Sequence, residues 1–326
     1  MSVLVTGGAG YIGSHMVLDL LDQGREVIVL DDFSTGFADA LPPGVSLIVG
    51  DVGDAALVAD ALARHRVEAV IHFAAKTVVP ESVAEPLSYY GANTLKSHSL
   101  IGALVEAGVY KLIFSSTAAV YGDVGTGPAA EDAPKSPESP YGRSKLMTEW
   151  IIEDTARAHG LRYAILRYFN VAGADPAGRT GQSTAAATHL IKAACQAVLG
   201  VRDHLTLFGD DFPTADGTGV RDYIQVSDLA AAHRSALDHL EAGGANLTLN
   251  CGYGRGFSVR EVIETVKAVS GVDFPVVVAD RRPGDPASIV ADVSRIGRTL
   301  SWTPRYADLE TIVRQALNWE RRLASA

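Results

Sequence analysis

The first half of the chain alternates short apolar runs with longer segments that have helical periodicity. The apolar runs are Val3-Leu-Val5, Val27-Ile-Val-Leu30, Leu47-Ile-Val49, Val70-Ile-His-Phe73, Leu112-Ile-Phe114 and Ala164-Ile-Leu166. Most of them are β-branched or aromatic and lack strict alternation, which is typical of strands buried on both faces. Helix-length segments lie between them at residues 14–23, 55–65, 94–107 and 141–158. This order predicts an α/β fold with a doubly wound parallel sheet.

The second half of the chain has a different pattern. Gly, Asp, Pro and Thr cluster between shorter elements at residues 173–181, 209–219 and 281–286. We therefore expect residues 171–326 to form a smaller C-terminal α/β lobe over the carboxyl edge of the sheet, with some segments returning to the main sheet. Because no Ser- or Pro-rich linker separates the two halves, we expect them to form one unit.

Composition narrows the classes of function. The chain has 326 residues, of which 47% are hydrophobic, and this is enough for a large core. Its formal net charge of -10 argues against a nucleic-acid surface and against binding to an anionic membrane. The start of the chain lacks a signal-peptide pattern, and no apolar run has the length of a membrane span. The cysteines, Cys195 and Cys251, have no metal or disulfide spacing, so we expect a cytoplasmic protein without a metal.

A glycine-rich loop directly follows the first predicted strand and opens the first predicted helix. Its sequence, Gly7-Gly-Ala-Gly-Tyr-Ile-Gly13, satisfies both G-x-G-x-x-G and G-x-x-G-x-x-G. Glycine allows a tight turn and a close approach of backbone amides to a pyrophosphate, which then lies at the positive end of a helix. In this context the motif predicts a dinucleotide site. We expect residues 1–170 to form this Rossmann-like domain and to carry the catalytic residues as well.

Acidic and small residues end the next three predicted strands. Asp31, followed by Asp32, stands where an acid can bind the hydroxyls of the adenosine ribose. With no arginine directly after it, Asp31 favours NAD over NADP, whose 2′-phosphate it would repel. Asp51 could bind the adenine amine or cap the helix that follows it. Phe73-Ala-Ala75 has small residues that allow a cofactor to approach the sheet, although Phe73 could equally belong to the core.

A tyrosine and a lysine lie one helical turn apart in Ser139-Pro-Tyr-Gly-Arg-Ser-Lys145. An ammonium beside a phenol favours the phenolate, so Lys145 is expected to lower the pKa of Tyr141 and make it a general base. The run Ser115-Ser-Thr117 ends the fifth predicted strand, on the same edge as the glycine loop. A hydroxyl there can bridge a substrate oxygen and the Tyr141 phenol. The combination predicts a hydride-transfer site.

Six runs carry a resemblance to a known family. They are Val5-Thr-Gly-Gly-Ala-Gly-Tyr-Ile-Gly-Ser-His15, Ser115-Ser-Thr-Ala-Ala-Val-Tyr-Gly122, Ser139-Pro-Tyr-Gly-Arg-Ser-Lys145, Leu166-Arg-Tyr-Phe-Asn170, Gly217-Thr-Gly-Val-Arg-Asp-Tyr-Ile224 and Arg281-Arg-Pro-Gly-Asp285. On these runs, which extend nearly from end to end, the chain resembles the extended short-chain dehydrogenase/reductase superfamily. Within it the chain is similar to the UDP-glucose 4-epimerases, in which the last three runs border the nucleotide-sugar site.

The resemblance implies roles for individual residues. Tyr141 would be the catalytic base, Lys145 would hold the nicotinamide ribose, and Thr117 would position the sugar hydroxyl. NAD would be bound by Gly7, Gly10, Tyr11, Ile12, Gly13, Asp31, Asp32, Asp51, Val52, Phe73, Ala74, Ala75, Asn93, Ser115, Tyr141, Lys145 and Tyr168. The UDP-sugar would contact Thr117, Tyr141, Phe169, Asn170, His189, Leu190, Thr206, Phe208, Arg221, Arg282 and Asp285. In this set the two arginines would hold the diphosphate, because guanidinium groups bind phosphate with charge-assisted contacts.

The implied activity is reversible C4 epimerisation of a UDP-hexose, UDP-glucose or UDP-galactose, through a 4-keto intermediate and with tightly bound NAD. A 4-epimerase of UDP-xylose, UDP-glucuronate or UDP-N-acetylglucosamine is the nearest alternative. An NAD-dependent nucleotide-sugar reductase and a non-catalytic cofactor sensor are further alternatives. Ala118 and Ala119 argue against a 4,6-dehydratase, which carries acidic residues after the strand-five threonine. The resemblance also implies a homodimer formed through the two long helices of the first half.

Three positions depart from the family pattern. The family often has a lysine near the cofactor phosphates at the position of Thr77, whereas this chain has Lys76 one residue earlier. His189 stands where many members have an asparagine near the diphosphate, and a histidine on a helix surface is the competing interpretation. Ile289 lies near a position whose size controls the admission of N-acetylated sugars. Cofactor retention and sugar range are therefore open at this level.

Overall fold

The centre of the fold is a parallel sheet, seen in a computed structural model that describes residues 1–125, 127–184, 188–282 and 285–325. The strands are β1 (Ser2–Thr6), β2 (Glu26–Asp31), β3 (Ser46–Val49), β4 (Ala69–His72), β5 (Lys111–Thr117), β6 (Arg162–Tyr168), β7 (Asn170–Ala172), β8 (Leu205–Phe208), β9 (Val220–Gln225), β10 (Leu247–Cys251), β11 (Gly256–Ser258), β12 (Val276–Ala279) and β13 (Ser288–Ile289). The helices are α1 (Tyr11–Asp22), α2 (Ala55–Arg64), α3 (Val79–Ala84), α4 (Pro86–Tyr89), α5 (Lys96–Ala107), α6 (Pro140–His159), α7 (Leu190–Val198), α8 (Val226–Glu241), α9 (Val259–Ser270), α10 (Ser294–Thr299) and α11 (Leu309–Ala324).

Among the described residues, seven strands form the main sheet in the order β10-β6-β5-β4-β1-β2-β3, and all neighbouring pairs are parallel. The six predicted apolar runs fall in β1 to β6, except that β4 ends one residue before Phe73. The expectation of burial on both faces is wrong for β3, whose residues are mostly exposed because it is the edge strand. A segment of the second half, β10, pairs with β6 in the main sheet.

Helices cover both faces of the main sheet, which confirms the doubly wound α/β prediction. On one face, Met16 and Leu20 of α1 and Leu237 of α8 pack in one apolar cluster with β1 and β2. On the other face, Leu62 of α2 and Leu104 of α5 pack with Ile152 of α6 and with residues of β4 to β6 in a second cluster. Each cluster consists of buried aliphatic and aromatic side chains, and their removal from water stabilises the layered arrangement.

The helical segment predicted at residues 94–107 begins earlier and in a different form. A π-helical stretch, Tyr90–Leu95, precedes α5 and runs into it without interruption. The helix ends at Gly108, whose φ of 72° is the left-handed conformation that glycine adopts without strain. The segment predicted at 141–158 is α6, which begins with Pro140 after the capping side chain of Ser139. The π-helical turns that precede α5 are of a kind frequently found at functional sites.

Residues after β6 form most of a smaller lobe. Strands β7, β9, β11 and β13 make one sheet, and β8 pairs with β12 in another. Helices α7, α9 and α11 pack together through Ile191, Val262 and Leu317, among other apolar residues. Asp228 of α8 joins this lobe to the chain end, because its carboxylate accepts hydrogen bonds from the Tyr253 hydroxyl and from backbone amides near the start of α11.

In the part of the chain that the structure describes, no helix combines the length and the apolar character needed to cross a membrane.

Candidate active site

The glycine-rich loop connects β1 to α1 with a very close approach of backbone to backbone. Gly7 has a φ of +68°, and a Cβ there would lie 2.6 Å from the Ala74 nitrogen after β4. A Cβ on Gly13 would lie 2.0 Å from the Gly7 oxygen. Gly10 precedes the first residue of α1, so the unpaired amides of the first turn border the loop. This open cradle of amides at a helix N-terminus fits the pyrophosphate of a dinucleotide.

Asp31 lies at the end of β2 and fastens the glycine loop. Its carboxylate accepts hydrogen bonds from the amides of Ala9, at 2.8 Å, and Phe33, at 2.9 Å. Burial raises the pKa of Asp31, and these two amides oppose the change. Two carboxylate oxygens have about four acceptor sites, so ribose hydroxyls can still donate to them. Asp32 instead accepts from the amide and hydroxyl of Ser34 at the surface.

The structure separates the two interpretations of Asp51. The helix cap of α2 is Asp54, whose side chain accepts from the amides of Ala56 and Leu57. Asp51 forms an ion pair with Lys96, at 2.6 Å, and accepts from the Gly53 amide. The partly exposed Asp51 carboxylate therefore lies near the carboxyl end of β3 and outside the capping role. Val52 is buried beside it, in the cluster on the α2 face.

The turn after β4 is held by an amide side chain. Asn93, in the π-helical stretch, is 1% exposed and accepts from the Lys76 amide at 2.8 Å. Its side-chain nitrogen donates to the Lys76 carbonyl and to the Ser144 hydroxyl, both at 3.0 Å. These contacts use the polar atoms of Asn93 to shape the turn that carries Phe73, Ala74 and Ala75. Phe73 is half-buried and packs against the His233 ring at 4.9 Å.

Lys76 points to an acidic and aromatic pair. Its ammonium forms an ion pair with Glu81, at 3.0 Å, and lies 5.6 Å from the centre of the Tyr89 ring. The Tyr89 ring in turn packs edge-on against Tyr141, with 6.5 Å between ring centres. Lys76 thus lies on the exposed side of Tyr89, the residue that packs against Tyr141.

Hydroxyl groups line the carboxyl end of β5. The Ser115 and Tyr168 hydroxyls lie 2.7 Å apart across β5 and β6. The Thr117 hydroxyl accepts from the Ala119 amide at 3.1 Å and so closes the turn after the strand. All three residues are buried. They share the sheet edge that carries the glycine loop, because β5, β4 and β1 are neighbouring parallel strands.

Tyr141 and Lys145 lie on the buried face of α6, and the Lys145 ammonium donates to the Ser115 carbonyl at 3.0 Å. Burial raises the pKa of Tyr141 to about 12, and a side-chain hydrogen bond with Thr117 opposes it. Burial also lowers the pKa of Lys145 to about 7, which the Glu149 carboxylate opposes. The expected lowering of the Tyr141 pKa is not found, because desolvation of the phenolate outweighs the Thr117 hydrogen bond.

A residue absent from the sequence-based set completes this helix face. Glu149 follows Lys145 at the spacing that separates Lys145 from Tyr141, and it is 1% exposed. Its carboxylate binds the Arg167 guanidinium through two hydrogen bonds, at 3.0 and 2.5 Å. The four-residue spacing that continues from Tyr141 and Lys145 to Glu149 is the signal that could have identified it.

Several substrate candidates border one cavity between β7, α7 and α11. Its lining includes Asn170, His189, Leu190 and Lys192. His189 directly precedes α7, and its Nδ1 lies 2.8 Å from Gln182 Nε2. Lys192 is buried and donates to the Gln182 carbonyl at 2.7 Å and to Glu320 of α11. His189 is exposed where it borders this cavity. It lies at the start of a helix and not on the side of one.

The arginine candidates lie in the smaller lobe. Arg221 of β9 is mostly buried, and one of its nitrogens lies 3.9 Å from a carboxylate oxygen of Asp285. Burial lowers the pKa of Arg221 and the Asp285 charge raises it. The Arg282 guanidinium stacks on the Phe208 ring at 3.8 Å, within cation–π range. Thr206 lies two residues before Phe208 on β8.

The remaining positions of the predicted site and its motifs lie between the two lobes or outside the described residues. Phe169 is buried between β6 and β7 and packs with Leu146, Ile289 and Ala291. Ile289 of β13 pairs in register with Arg221. Pro283 and Gly284, in the run from Arg281 to Asp285, lie outside the described residues. Tyr11 links the glycine loop to the smaller lobe, because its hydroxyl donates to the Gly173 carbonyl at 2.8 Å.

No metal centre is formed by the residues that the structure describes, since no three His, Cys, Asp or Glu side chains are grouped as ligands. The arrangement instead has a glycine loop at a helix N-terminus, the buried side chains of Tyr141 and Lys145, and arginines in the smaller lobe. This chemistry suits proton transfer beside a bound dinucleotide and an anionic substrate.

Comparison with known proteins agrees with this geometry. The sequence profile of the NAD dependent epimerase/dehydratase family matches residues 3–252. The UDP-glucose 4-epimerase of Azospirillum brasilense is 58% identical over 98% of this chain and 92% of its own length. The structure of UDP-glucose 4-epimerase from Brucella ovis in complex with NAD is 42% identical, covers 98% of each chain and has a TM-score of 0.94.

A further solved structure is the UDP-glucose 4-epimerase from Stenotrophomonas maltophila with bound NAD and formylated UDP-arabinopyranose. It is 39% identical, covers 100% of this chain and 99% of its own, and has a TM-score of 0.96. The chain therefore belongs to the NAD dependent epimerase/dehydratase family. Within that family, the resemblance to UDP-glucose 4-epimerases is confirmed, since each of the three similar proteins carries that name.

Replacing Gly13 with alanine is expected to destroy the glycine loop. The added Cβ would meet the Gly7 oxygen at 2.0 Å, and both partners are backbone. Overpacking costs about 1–3 kcal/mol in the free energy of unfolding, and the displaced loop should also lose NAD. Thermal unfolding with and without NAD measures both effects.

The matched control is Gly297→Ala in α10, where an added Cβ meets no described atom within 4 Å. It should leave NAD binding and the unfolding temperature unchanged or slightly raised. Retention of NAD by Gly13→Ala at the level of this control would contradict the assigned loop.

Proposed function

We propose that this protein is an NAD-dependent isomerase that interconverts UDP-glucose and UDP-galactose by inverting C4 of the sugar. The observation that carries this proposal is the grouping of Tyr141, Lys145 and Thr117 at the sheet edge that also carries the glycine loop. A dinucleotide in that loop and a general base at the same edge are what a transient oxidation requires. Membership of the NAD dependent epimerase/dehydratase family supports the same activity.

The loop residues fit the cofactor. Gly7, Gly10 and Gly13 leave room for a pyrophosphate at the start of α1, and Asp31 offers acceptors for the adenosine ribose hydroxyls. When bound, NAD supplies the hydride acceptor and, in its oxidised form, a positive charge that favours the phenolate of Tyr141. Lys145 would hold the ribose hydroxyls of the cofactor and keep the base oriented, because its ammonium is already fixed at this edge by the Ser115 carbonyl.

Proton transfer is assigned to the Tyr141 phenol oxygen. It takes the proton of the sugar 4-hydroxyl as C4 is oxidised, and it returns this proton after the 4-keto sugar has presented its other face. The Thr117 hydroxyl bridges the sugar oxygen and the phenol, so that both remain aligned. The burial of Tyr141 keeps bulk water away from the phenol during this exchange. The net reaction inverts C4 without net redox change.

The smaller lobe holds the nucleotide. Arg221 and Arg282 bind the diphosphate, Asp285 accepts from the uridine ribose, and Phe208 packs against the uracil. The partial desolvation of Arg221 strengthens its attraction for an anion. Binding energy concentrated on the UDP group leaves the hexose with few fixed contacts, and this freedom is necessary for it to turn. Residues 1–170 thus form the cofactor and catalytic domain, and residues 171–326 supply most of the nucleotide-sugar site.

The range of sugars is a separate matter. The Stenotrophomonas maltophila relative, by its name, is a UDP-glucose 4-epimerase with bound formylated UDP-arabinopyranose, so a related protein binds a UDP-sugar other than UDP-glucose. A 4-epimerase of another UDP-sugar is therefore the second candidate for this chain. The assay described below distinguishes the two, since it compares the rates with several UDP-sugars.

A homodimer is supported by an exposed apolar surface on α4, the π-helical stretch and α6. Leu87 is 84% exposed, Leu95 is 67% exposed and Trp150 is 53% exposed. Gly91 and Gly102 lie on nearby helical turns, and an added Cβ on either would meet no described atom within 4 Å. Exposed apolar groups beside glycines with open space around them allow two copies to approach closely in a self-complementary contact. We assign the protein to the cytoplasm, with no nucleic-acid or membrane partner, on its charge and cysteine content.

The activity is tested with purified protein and UDP-galactose without added cofactor. UDP-glucose should form at a rate that NAD addition changes little, because the cofactor stays bound. The same assay with UDP-xylose, UDP-glucuronate and the N-acetylated sugars orders the substrates. No product from UDP-galactose, even with NAD supplied, would refute the proposal, and a faster reaction of another sugar would favour the second candidate.

Tyr141→Phe is expected to lower kcat by about 10²–10⁴-fold, because it removes the general base. The fold and NAD binding should persist, since the ring still fills its site against Tyr89. Steady-state kinetics and NAD content measure the two effects. Tyr110→Phe, at an exposed tyrosine before β5, is the matched control and should retain full turnover. Equal turnover in the two variants would exclude Tyr141 as the base.

Trp150→Glu is expected to break the dimer, because it places two charges in the apolar contact. Sedimentation velocity should find the unchanged protein at twice its chain mass of 34.3 kDa and the variant at the monomer mass. Val201→Glu, at a 62% exposed valine in the smaller lobe, is the control and should remain dimeric. A monomeric unchanged protein, or a dimeric Trp150→Glu, would refute this surface as the interface.

A further inference from the structure

A buried carboxylate continues the catalytic face of α6. Tyr141, Lys145 and Glu149 follow one another at four-residue spacing and are 6%, 2% and 1% exposed. Side chains at this spacing lie on one helix face. A buried ionised group needs partners, and Glu149 has three strong contacts. They are the two Arg167 hydrogen bonds and a hydrogen bond from the Ser116 hydroxyl at 2.5 Å.

The contacts of Glu149 and Lys145 meet the same strand at consecutive residues. Lys145 donates to the Ser115 carbonyl, and Glu149 accepts from the Ser116 side chain. Ser116 lies opposite Arg167 in the register of β5 and β6, so their side chains share a sheet face. The Glu149 carboxylate therefore contacts both β5 and β6. The two contacts, one turn apart, prevent α6 from rotating about its axis relative to β5.

Arg167 is itself held from a second direction. Its Nη1 donates to the Tyr121 hydroxyl at 3.0 Å and to the Glu131 carbonyl at 3.1 Å. Glu131 in turn accepts from the Asn250 amide of β10, and the Tyr121 hydroxyl donates to the Asn250 side chain. The guanidinium therefore cannot move away from Glu149 without also breaking its contacts with Tyr121 and Glu131, which keeps the ion pair in place.

Among the groups that surround Lys145, Glu149 is the buried carboxylate that provides its counter-charge. On β4, His72 is neutral, because burial lowers its pKa to about 3. On β5, the Phe114 ring lies 4.9 Å from the ammonium, and the Ser115 carbonyl accepts from it. On α6, burial raises the pKa of Tyr141, and Glu149 provides a carboxylate one turn beyond Lys145. On β6, Arg167 is a cation, but its charge is paired with Glu149 at closer range.

We propose that Glu149 is a positioning residue of the active site, which provides a buried counter-charge for the Lys145 ammonium and fixes the orientation of α6 through Ser116 and Arg167. The importance of this charge for catalysis rests on the proposed function, whereas its effect on Lys145 does not. Burial by itself favours the neutral amine, and an anion on the same helix face favours the charged form. The Glu149 charge thus preserves the cation that binds the cofactor ribose and supports the Tyr141 phenolate.

The direct test is a titration of Lys145 by NMR, in protein labelled with ¹³C at the lysine ε-carbons and loaded with NAD. Lys145→Arg assigns the resonance. In Glu149→Gln the titration midpoint of Lys145 should fall by about one pH unit or more. Glu149→Asp keeps the charge and should stay near the unchanged protein. Ser116→Ala removes the hydrogen bond but not the ion pair, so it should leave the midpoint in place.

Kinetics give a second measurement. Lysine deprotonation ends activity at high pH, so the alkaline limb of kcat should move to lower pH in Glu149→Gln and return in Glu149→Asp. Glu241→Gln removes a carboxylate from the ion pair with Arg25, away from this site, and should shift neither the limb nor the Lys145 midpoint. An inactive unchanged protein would overturn the proposed function, and the NMR midpoints would still decide the role of Glu149.

Loss of Glu149 leaves Arg167 buried without its counter-ion, which can prevent folding. The double variant Glu149→Gln/Arg167→Gln avoids an unpaired charge and keeps two amides that can bond to each other. Its Lys145 midpoint should also fall, because the carboxylate acts on Lys145 more strongly than the guanidinium does. An unchanged midpoint in Glu149→Gln, or in this double variant where the single one does not fold, would overturn the proposal.

Discussion

The buried ion pair between Arg167 and Glu149 is the interaction on which the arrangement of the catalytic face depends. Two charges at 1% exposure each persist in a core only when hydrogen bonds satisfy them completely. To meet this requirement the chain brings together a strand, a helix, a turn and β10, through Ser116, Tyr121 and Asn250. The same contacts hold α6 against β5. The side chains of Tyr141 and Lys145 are therefore oriented by a network of residues outside this pair.

A second constraint acts at the other side of the site, where the backbone of Gly13 lies against Gly7 and the backbone of Gly7 against Ala74. Without side chains at these points, β1, β4 and the start of α1 come close enough to leave a groove of amides. The carboxyl ends of parallel strands then collect the cradle, the hydroxyls of β5 and the base of α6 on one edge. Tyr11 connects this edge to the smaller lobe, because its hydroxyl donates to the Gly173 carbonyl. On this side of the site, the fold and the glycine loop are thus coupled through close backbone contacts.

Much of this could be predicted from the sequence, and the exceptions share a cause. Local patterns identified six strands of the main sheet, the glycine loop and the Tyr141–Lys145 pair. They failed for β3, because an edge position leaves apolar residues exposed, and for the π-helical stretch, whose form depends on Asn93 bonding to Lys76 and Ser144. They also failed for the Tyr141 pKa, because desolvation depends on everything packed around the ring. The residue that caps α2 is Asp54 and not Asp51, and spacing alone did not distinguish these two aspartates, which are three positions apart.

The sequence by itself determined the class of fold, the glycine loop between β1 and α1 and the placement of Tyr141 and Lys145 on one helix face, because each depends on residue spacing within one or two consecutive elements. The tertiary structure alone decided which charges lie beside that pair. Glu149 and Arg167 are far apart along the chain, and only the register of β5 with β6 and the placement of α6 over them bring the two together. Burial and electrostatic pairing are properties of all neighbours at once, so the ionisation of Tyr141 and Lys145 follows from the packed core and not from their spacing.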